Sequence, residues 1–525
     1  MMKRTKLSRG LSRIFAAGLT VTFLFTPDYM VQAENYSDAA PYLTPTEANG
    51  ESILFDNTHG QTAGAADWVI DGGFSDYADD LVNHGYYVKE LRKNSEITYS
   101  DLKSFDVFVI PEANIPYKKT EQEAILQYVQ NGGSVFFIAD HYNADRNKNR
   151  WDASEVFNGY RRGAYFDPTK GMSAEEAASE AMNGVSSSDW LAENFGVRFR
   201  YNALGDINAT KIVDASESFG ITENVDAVAM HAGSTIAIIN PQIAKGIVYL
   251  PENLNSNDKW SYAVDNGVYN GGGIEEGAYV AIAKIGQGKA AFLGDSSAVE
   301  DSSPKYVREE TGAKKKTYDG YLEADDALLL IQLSNWLAKQ ESYNSFVDTQ
   351  ISLDTATVLY DYEAPTVSTE PQSEPWATPS SGYKWYDAVT FKEGAYGCIS
   401  NNSGNDNSNE EQTYQIETPA EIIAGKELTM TINFTGLTAN TTYKGYSLGA
   451  YLSGGTQIAR FAKSNGSYPA VSGYSEEFSI TTDSNGKASK TIGFIIDATA
   501  SGTFSLRLKQ SGKKLLTESY TLTVK

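Results

Sequence analysis

Four histidines occur in 525 residues, and two of them stand beside an aspartate that ends an apolar run. Ser52 to Asp56 leads into Asn57, Thr58, His59, Gly60 and Gln61, and Ser134 to Asp140 leads into His141, Tyr142 and Asn143. A third run closes on Asp295, and Asp106 to Pro111 runs into Glu112, Ala113 and Asn114. An imidazole beside a carboxylate can move a proton, and converging carboxylates need either a shared proton or a cation among them. Asp140, His141 and His59 are therefore the expected catalytic groups. Asp56, His59, Asp140, His141, His231 and Asp295 are the expected ligands of a divalent metal, Zn, Mn or Ca, which would acidify a bound water. Gln61, Glu112, Asn114, Tyr142, Asn143, Arg146 and Arg150 flank these groups as expected substrate contacts. The arginines among them can grip an anion bidentately, and the aromatic ring can stack on a sugar or base.

Each of these residues also has a structural reading. Asp56 and Asp295 can cap the turns that follow them, as aspartate commonly does. His231 lies in Ala229, Met230, His231, Ala232, among apolar neighbours, where a histidine is usually part of the packing. His84, before Gly85, suits a helix C-terminus. Asp145, Asn147 and Asn149 alternate like calcium ligands, but Arg150 and Val156 replace the glycine and glutamate that an EF-hand loop needs.

The elements that would position these residues alternate. Strands are expected at 52–56, 86–91, 106–111, 134–140 and 289–294, with helices at 74–83, near 100, and from Thr120 to Asn131. Such alternation with short connections predicts a doubly wound, flavodoxin-like parallel α/β sheet with insertions, whose strands have their carboxyl ends at one crevice. Residues 151–270 are less regular, with helices expected at 173–183 and 187–194 and strands at 225–239 and 245–250. A hairpin at 279–294 and a helix at 324–339 close the unit. Beyond a stretch rich in Pro, Ser, Thr and Glu, alternating short strands with Gly-rich turns predict an all-β sandwich. The expected domains are 1–33 signal peptide, 34–49 polar segment, 50–342 α/β domain, 343–418 linker and irregular segment, and 419–525 accessory β-sandwich.

The amino terminus reads as a secretory signal. Lys3, Arg4, Lys6, Arg9 and Arg13 precede an apolar stretch from Ile14 to Phe25, and Val31-Gln32-Ala33 offers a cleavage site before Glu34. About a dozen apolar residues are too few for a span, which needs about 20, so a secreted product with no membrane anchor after cleavage is expected. The single Cys398 rules out an internal disulfide. A net charge of -24 opposes binding of a polyanion, so nucleic acid is disfavoured as a partner.

From Phe105 to Pro111, and from Tyr128 through Gly132-Gly133 to Asp140, the chain resembles the class I glutamine amidotransferase-like superfamily. Within it, the chain is most similar to the GIFT-type domains of gliding-motility and intraflagellar-transport proteins. Gly288 to Ser297, followed by Leu328 to Leu337, resembles that group's closing strand and helix. The resemblance covers residues 50–342 and implies the same fold and a sugar-binding module. It does not extend to glutaminase activity, because Asp140-His141 occupies the place of the nucleophilic cysteine and no thiol can form the acyl intermediate.

Taken together, these features lead to the expectation of a secreted hydrolase, with or without a metal, acting on an extracellular polymer, a small glycan or a phosphoester. The β-sandwich would contact the cell wall. A non-catalytic carbohydrate- or wall-binding protein is the first alternative, and an extracellular nuclease or nucleic-acid-binding protein the second.

Overall fold

Apolar runs that are buried on both faces dictate the architecture of the first unit. The computed structural model describes residues 34–142, 151–264, 267–369, 380–399, 413–437, 440–452, 455–484, 486–510 and 513–523. The chain divides into two compact units, residues 1–398 and 399–525. Among the described residues, no helix is long and apolar enough to cross a membrane.

The first unit is built on β1 (Tyr42–Leu43), β2 (Ser52–Asp56), β3 (Tyr87–Leu91), β4 (Val107–Pro111), β5 (Ser134–Ile138), β6 (Val197–Phe199), β7 (Asp206–Ala209), β8 (Lys211–Ile212), β9 (Val228–His231), β10 (Ile236–Ile238), β11 (Ala244–Tyr249), β12 (Ala278–Ile285) and β13 (Gly288–Leu293). Eleven of these form one sheet in the order β1-β3-β2-β4-β5-β13-β12-β10-β6, with β11 on β12 and β8 on β11. The five central strands β3, β2, β4, β5 and β13 run parallel. The strands flanking them are antiparallel, so the sheet is mixed, whereas the sequence pattern predicted a parallel one. A strand's apolar pattern is the same whichever way its neighbour runs, so direction is set by the connections. The β12–β13 hairpin forms as expected, turning between Ile285 and Gly288. β7 and β9 form a separate ribbon.

The helices are α1 (Ser75–Asn83), α2 (Tyr99–Leu102), α3 (Lys119–Gln130), α4 (Ala153–Asn158), α5 (Ala174–Ala177), α6 (Trp190–Phe195), α7 (Gly273–Glu276) and α8 (Asp326–Ala338). Alternate strand residues feed two cores. Phe55, Val109, Phe136 and Leu293 pack with α1 and α8, while Leu54, Phe108, Phe137 and Phe292 pack with α3, α4 and α6. α1 is followed by Gly85, whose φ is +95 and whose Cβ would meet the Asn49 amide and Glu47 carbonyl at 2.9 Å. Only glycine suits such a turn.

Residues 343–398, expected to be mostly linker, belong to the first unit. The Glu363 carboxylate accepts a bidentate pair from Arg200 at 2.8 Å, Asp354 accepts from Tyr249, and Trp385 donates to Glu176 at 3.0 Å. The second unit holds β14 (Thr413–Glu417), β15 (Glu427–Thr435), β16 (Thr442–Tyr451), β17 (Ala459–Phe461), β18 (Phe478–Thr481), β19 (Ala488–Ile496), β20 (Thr503–Gln510) and β21 (Lys513–Thr521). They form two antiparallel sheets, β14-β15-β19-β17 and β18-β16-β20-β21, around one apolar core that includes Ile432, Phe494, Leu448 and Leu506.

Candidate functional site

The register of the parallel strands sets the carboxyl ends of β2, β4, β5 and β13 side by side. At about 4.8 Å per strand, Asp56, Glu112, Asp140 and Asp295 lie along an edge roughly 14 Å long. Within that edge the structure forms three local groups.

The first group is built on Asp56, the last residue of β2. Its Oδ1 accepts the Thr58 amide at 3.0 Å and hydroxyl at 2.6 Å, which turns the chain so that His59 folds back. Oδ2 accepts Tyr117 Oη at 2.8 Å, Gln61 Nε2 at 3.0 Å and His59 Nδ1 at 3.0 Å. The other ring nitrogen, Nε2, faces Glu121 of α3, at 3.3 and 3.4 Å from its two oxygens. Tyr117 covers the ring at 4.0 Å between centroids. Burial opposes a charge on this imidazole, but Glu121 and then Asp56 outweigh it and push the His59 pKa up to about 10. Glu121 is likewise opposed by burial but is driven down to about 2 by His59 and by the Ile97 and Lys118 amides. His59 is thus a fixed cation with a carboxylate at each nitrogen. That geometry leaves it no lone pair at neutral pH, so it fits neither the expected base nor the expected metal ligand. Gln61 is spent inside the group as well, since its Oε1 accepts the His59 amide at 2.7 Å. His59 and Glu121 line an open crevice of about 590 Å3 together with Thr58, Ile115 and Lys118.

The second group follows β5. Asp140 and His141 are both buried, and Asp140 Oδ1 accepts the His141 amide at 2.6 Å. His141 Nδ1 lies 2.7 Å from the Tyr142 carbonyl, which can only accept, so Nδ1 carries a proton and the neutral ring has its lone pair on Nε2. That nitrogen stands 3.9 Å from Asp140 Oδ1, and the ring lies tilted against Trp260, 4.1 Å between centroids. Asn114 ties the His59 loop to the end of β4, because its amide donates to the His59 carbonyl at 2.7 Å and its side chain to the Glu112 carbonyl at 2.9 Å. Glu112 is fully buried beneath them. Tyr142 packs in an aromatic cluster with Tyr160 and Tyr201, and Arg162 lies 4.9 Å over its ring. Asn143, Arg146 and Arg150, and the calcium-like spacing from 145 to 149, lie outside the described residues.

The third group surrounds the end of β9. His231 Nε2 meets Glu323 at 2.9 Å, Nδ1 meets Asp206 at 3.2 Å, and Tyr318 covers the ring at 3.8 Å. Asp295 reaches His231 only through its backbone amide, at 2.5 Å, and also accepts the Ser297 amide at 2.8 Å, which is the capping role. Burial pushes the Asp295 pKa up to about 6 and that of the neighbouring Asp326 up to about 8.

The six expected metal ligands therefore fall into three separate groups. Among the described residues, no three His, Cys, Asp or Glu side chains stand where they could share a metal ion. Both nitrogens of His59 and of His231 face carboxylates, so this donor set does not fit Zn, Mn or Ca. His84 does cap α1, with Nδ1 donating to the Asp80 carbonyl at 2.8 Å. Sequence reasoning missed Glu121, Tyr117, Trp260 and Glu323. None of them carried a clear signal: the capping-box spacing in the sequence pairs Thr120 with Glu123, whereas it is the Glu121 carboxylate that accepts the Lys118 amide at the start of α3, at 2.9 Å. Comparison with known protein families and with curated proteins finds no match for the chain.

Proposed function

We propose that this protein is a secreted hydrolase of glycans or phosphoesters, working without a metal at the carboxyl edge of the parallel strands. His141 is the general base and Asp140 the adjacent anion that stabilises its protonated ring. The observation that carries this reading is the 2.7 Å bond from His141 Nδ1 to the Tyr142 carbonyl, which leaves Nε2 as the basic nitrogen. A water admitted to Nε2, which is buried here, would lose its proton to the ring and attack the scissile centre. Five parallel strands with helices against both faces, and an acid at the turn after β5, support a doubly wound, amidotransferase-like core for this unit. Secretion rests on the basic and apolar residues before Glu34, and the all-β second unit is assigned to wall attachment.

The test is turnover of a panel of nitrophenyl glycosides and nitrophenyl phosphodiesters by the full chain. His141→Ala is expected to lower kcat by ~10²–10⁴-fold, the usual worth of a positioned base, and to abolish the acid limb of the pH profile, where activity falls as the base takes up a proton. Absence of turnover by the wild-type chain on every member of the panel would leave the second reading, a glycan-binding protein without catalysis. An aromatic-walled cavity beside His59 favours that second reading.

A further inference from the structure

Beside the Asn57–Gly60 turn lies a cavity of about 170 Å3 that no sequence motif signalled. Its walls include the aromatic rings of Tyr36, Trp385, Phe391 and Tyr396. Three of these come from residues 380–397, the stretch expected to be linker. That stretch is firmly attached: Ser380 donates to Glu310 at 2.7 Å, Lys392 to the Glu309 carbonyl at 2.9 Å, and Gly397 to the Glu34 carbonyl at 2.8 Å. Asn57, Thr62 and Glu309 supply polar groups among the rings. The Tyr396 hydroxyl is buried and makes no hydrogen bond within the described structure.

Size and charge narrow the occupant. The volume is below the ~300–1,000 Å3 of sites for drug-sized ligands, so it suits a single ring. The cations nearby are already engaged, Lys93 with Asp101 at 2.7 Å, Lys315 with the Thr62 carbonyl, and Arg92, over the Tyr396 ring, with Glu34 and Glu90, so among the described residues none is left over for an anionic ligand. Glu309 is a buried acid on the same wall, which further disfavours an anion. Aromatic faces interleaved with hydroxyl and amide groups match a ring with apolar C–H faces and a polar rim.

We propose that this cavity is a subsite for one neutral sugar ring, seated against the turn that carries His59. The assignment rests on the glycan side of the function proposed above, and it goes further by choosing neutral sugars over charged sugars and phosphoesters. Tyr396 would give or take a hydrogen bond from a ring hydroxyl, and Trp385 and Phe391 would cover its faces.

The experiment is saturation-transfer NMR and calorimetry on the full chain, with methyl glycosides of glucose, galactose and mannose and with N-acetylglucosamine. Glucuronate and adenosine serve as counter-probes. At least one neutral glycoside is expected to bind at millimolar concentration, and Tyr396→Phe to weaken it about fivefold, the worth of one hydrogen bond. Trp385→Phe, which keeps a ring and guards against a failure to fold, is expected to weaken it several-fold. The proposal is overturned by preferential binding of glucuronate or adenosine, by no binding of any neutral probe, or by binding that neither variant alters. Neutral-sugar binding that both variants weaken, in a chain that hydrolyses nothing, would uphold the subsite and remove the hydrolase. Hydrolysis with unchanged KM in both variants would uphold the hydrolase and remove the subsite.

Discussion

Replacing Glu121 by glutamine tests whether His59 is a fixed cation. The change removes one of two anions from a ring that is 4% exposed, and keeps the size and one accepting oxygen of the side chain. A folded pKa of about 10 against an ordinary 6.5 corresponds to about 5 kcal/mol of linkage between the charged ring and the fold. The depression of Glu121 to about 2 reports the same contact from the other side, so the two are not summed. Asp56 remains at Nδ1 in the variant, so about half of the total, ~2–3 kcal/mol, is expected to be lost. That is slightly below the ~3–5 kcal/mol typical of a buried pair broken on one side. The sign follows from each partner. His59, with a raised folded pKa, contributes fully below pH 6.5 and loses its contribution as pH climbs through about 10. Glu121, with a lowered one, contributes fully above 4.5 and loses it as pH falls through about 2. The penalty should therefore be largest between about pH 4.5 and 6.5 and fade toward pH 10. All seven tryptophans precede residue 399, so fluorescence during urea unfolding reads the first unit alone. A penalty equal at pH 6 and pH 10, or a His59 ring that titrates near 6.5 by NMR in the wild-type chain, would refute the reasoning.

Two further outcomes are expected from the same unit. Asp326 is buried with Oδ2 lacking a hydrogen-bond partner, and burial raises its pKa to about 8, so its contribution is full below about 3.8 and is lost as pH rises through 8. Asp326→Asn, whose oxygen can still accept the Ala229 amide, should match the wild-type Tm at acid pH and exceed it at pH 9. Equal pH slopes for the two chains would count against this. Phe137→Ala removes a ring packed 5.4 Å from Phe292 and edge-on to Phe157, Trp190 and Phe195, and should cost ~3–5 kcal/mol in urea unfolding followed by tryptophan fluorescence. A loss below ~1 kcal/mol would show that the site collapses around the deletion.

Much of the first unit's skeleton was legible because buried strands are continuous apolar runs and because Gly and Asn close the helices. β2, β4, β5 and the β12–β13 hairpin lie where the pattern put them. The helix expected over 173–183 contracts to Ala174–Ala177. That stretch is rich in Ala and Glu, which favour a helix locally, but it lacks an apolar stripe to hold one against a core. Residues 343–398 read as linker from Pro, Ser and Thr content. Composition averages over the few residues that anchor such a stretch, here Phe346, Glu363, Tyr383 and Trp385, all of which are buried.

The three histidines at or near the sheet edge show why site chemistry was harder to read than the fold. His59 lies three residues from Asp56, a spacing visible in sequence, and one acid beside one imidazole suggests a base. What decides its state is Glu121, 62 residues further on, which meets the second nitrogen only because α3 starts beneath the same loop. His231 is similarly enclosed by Asp206 and Glu323, 25 and 92 residues away. His141 differs because its Nδ1 partner is the carbonyl of the next residue, a group every sequence contains and none displays. His59, between two buried carboxylates, is held as a cation, whereas a ring whose Nδ1–H donates to a carbonyl carries its lone pair on Nε2. The partner of the second nitrogen therefore assigns the roles at this edge, and topology sets that partner.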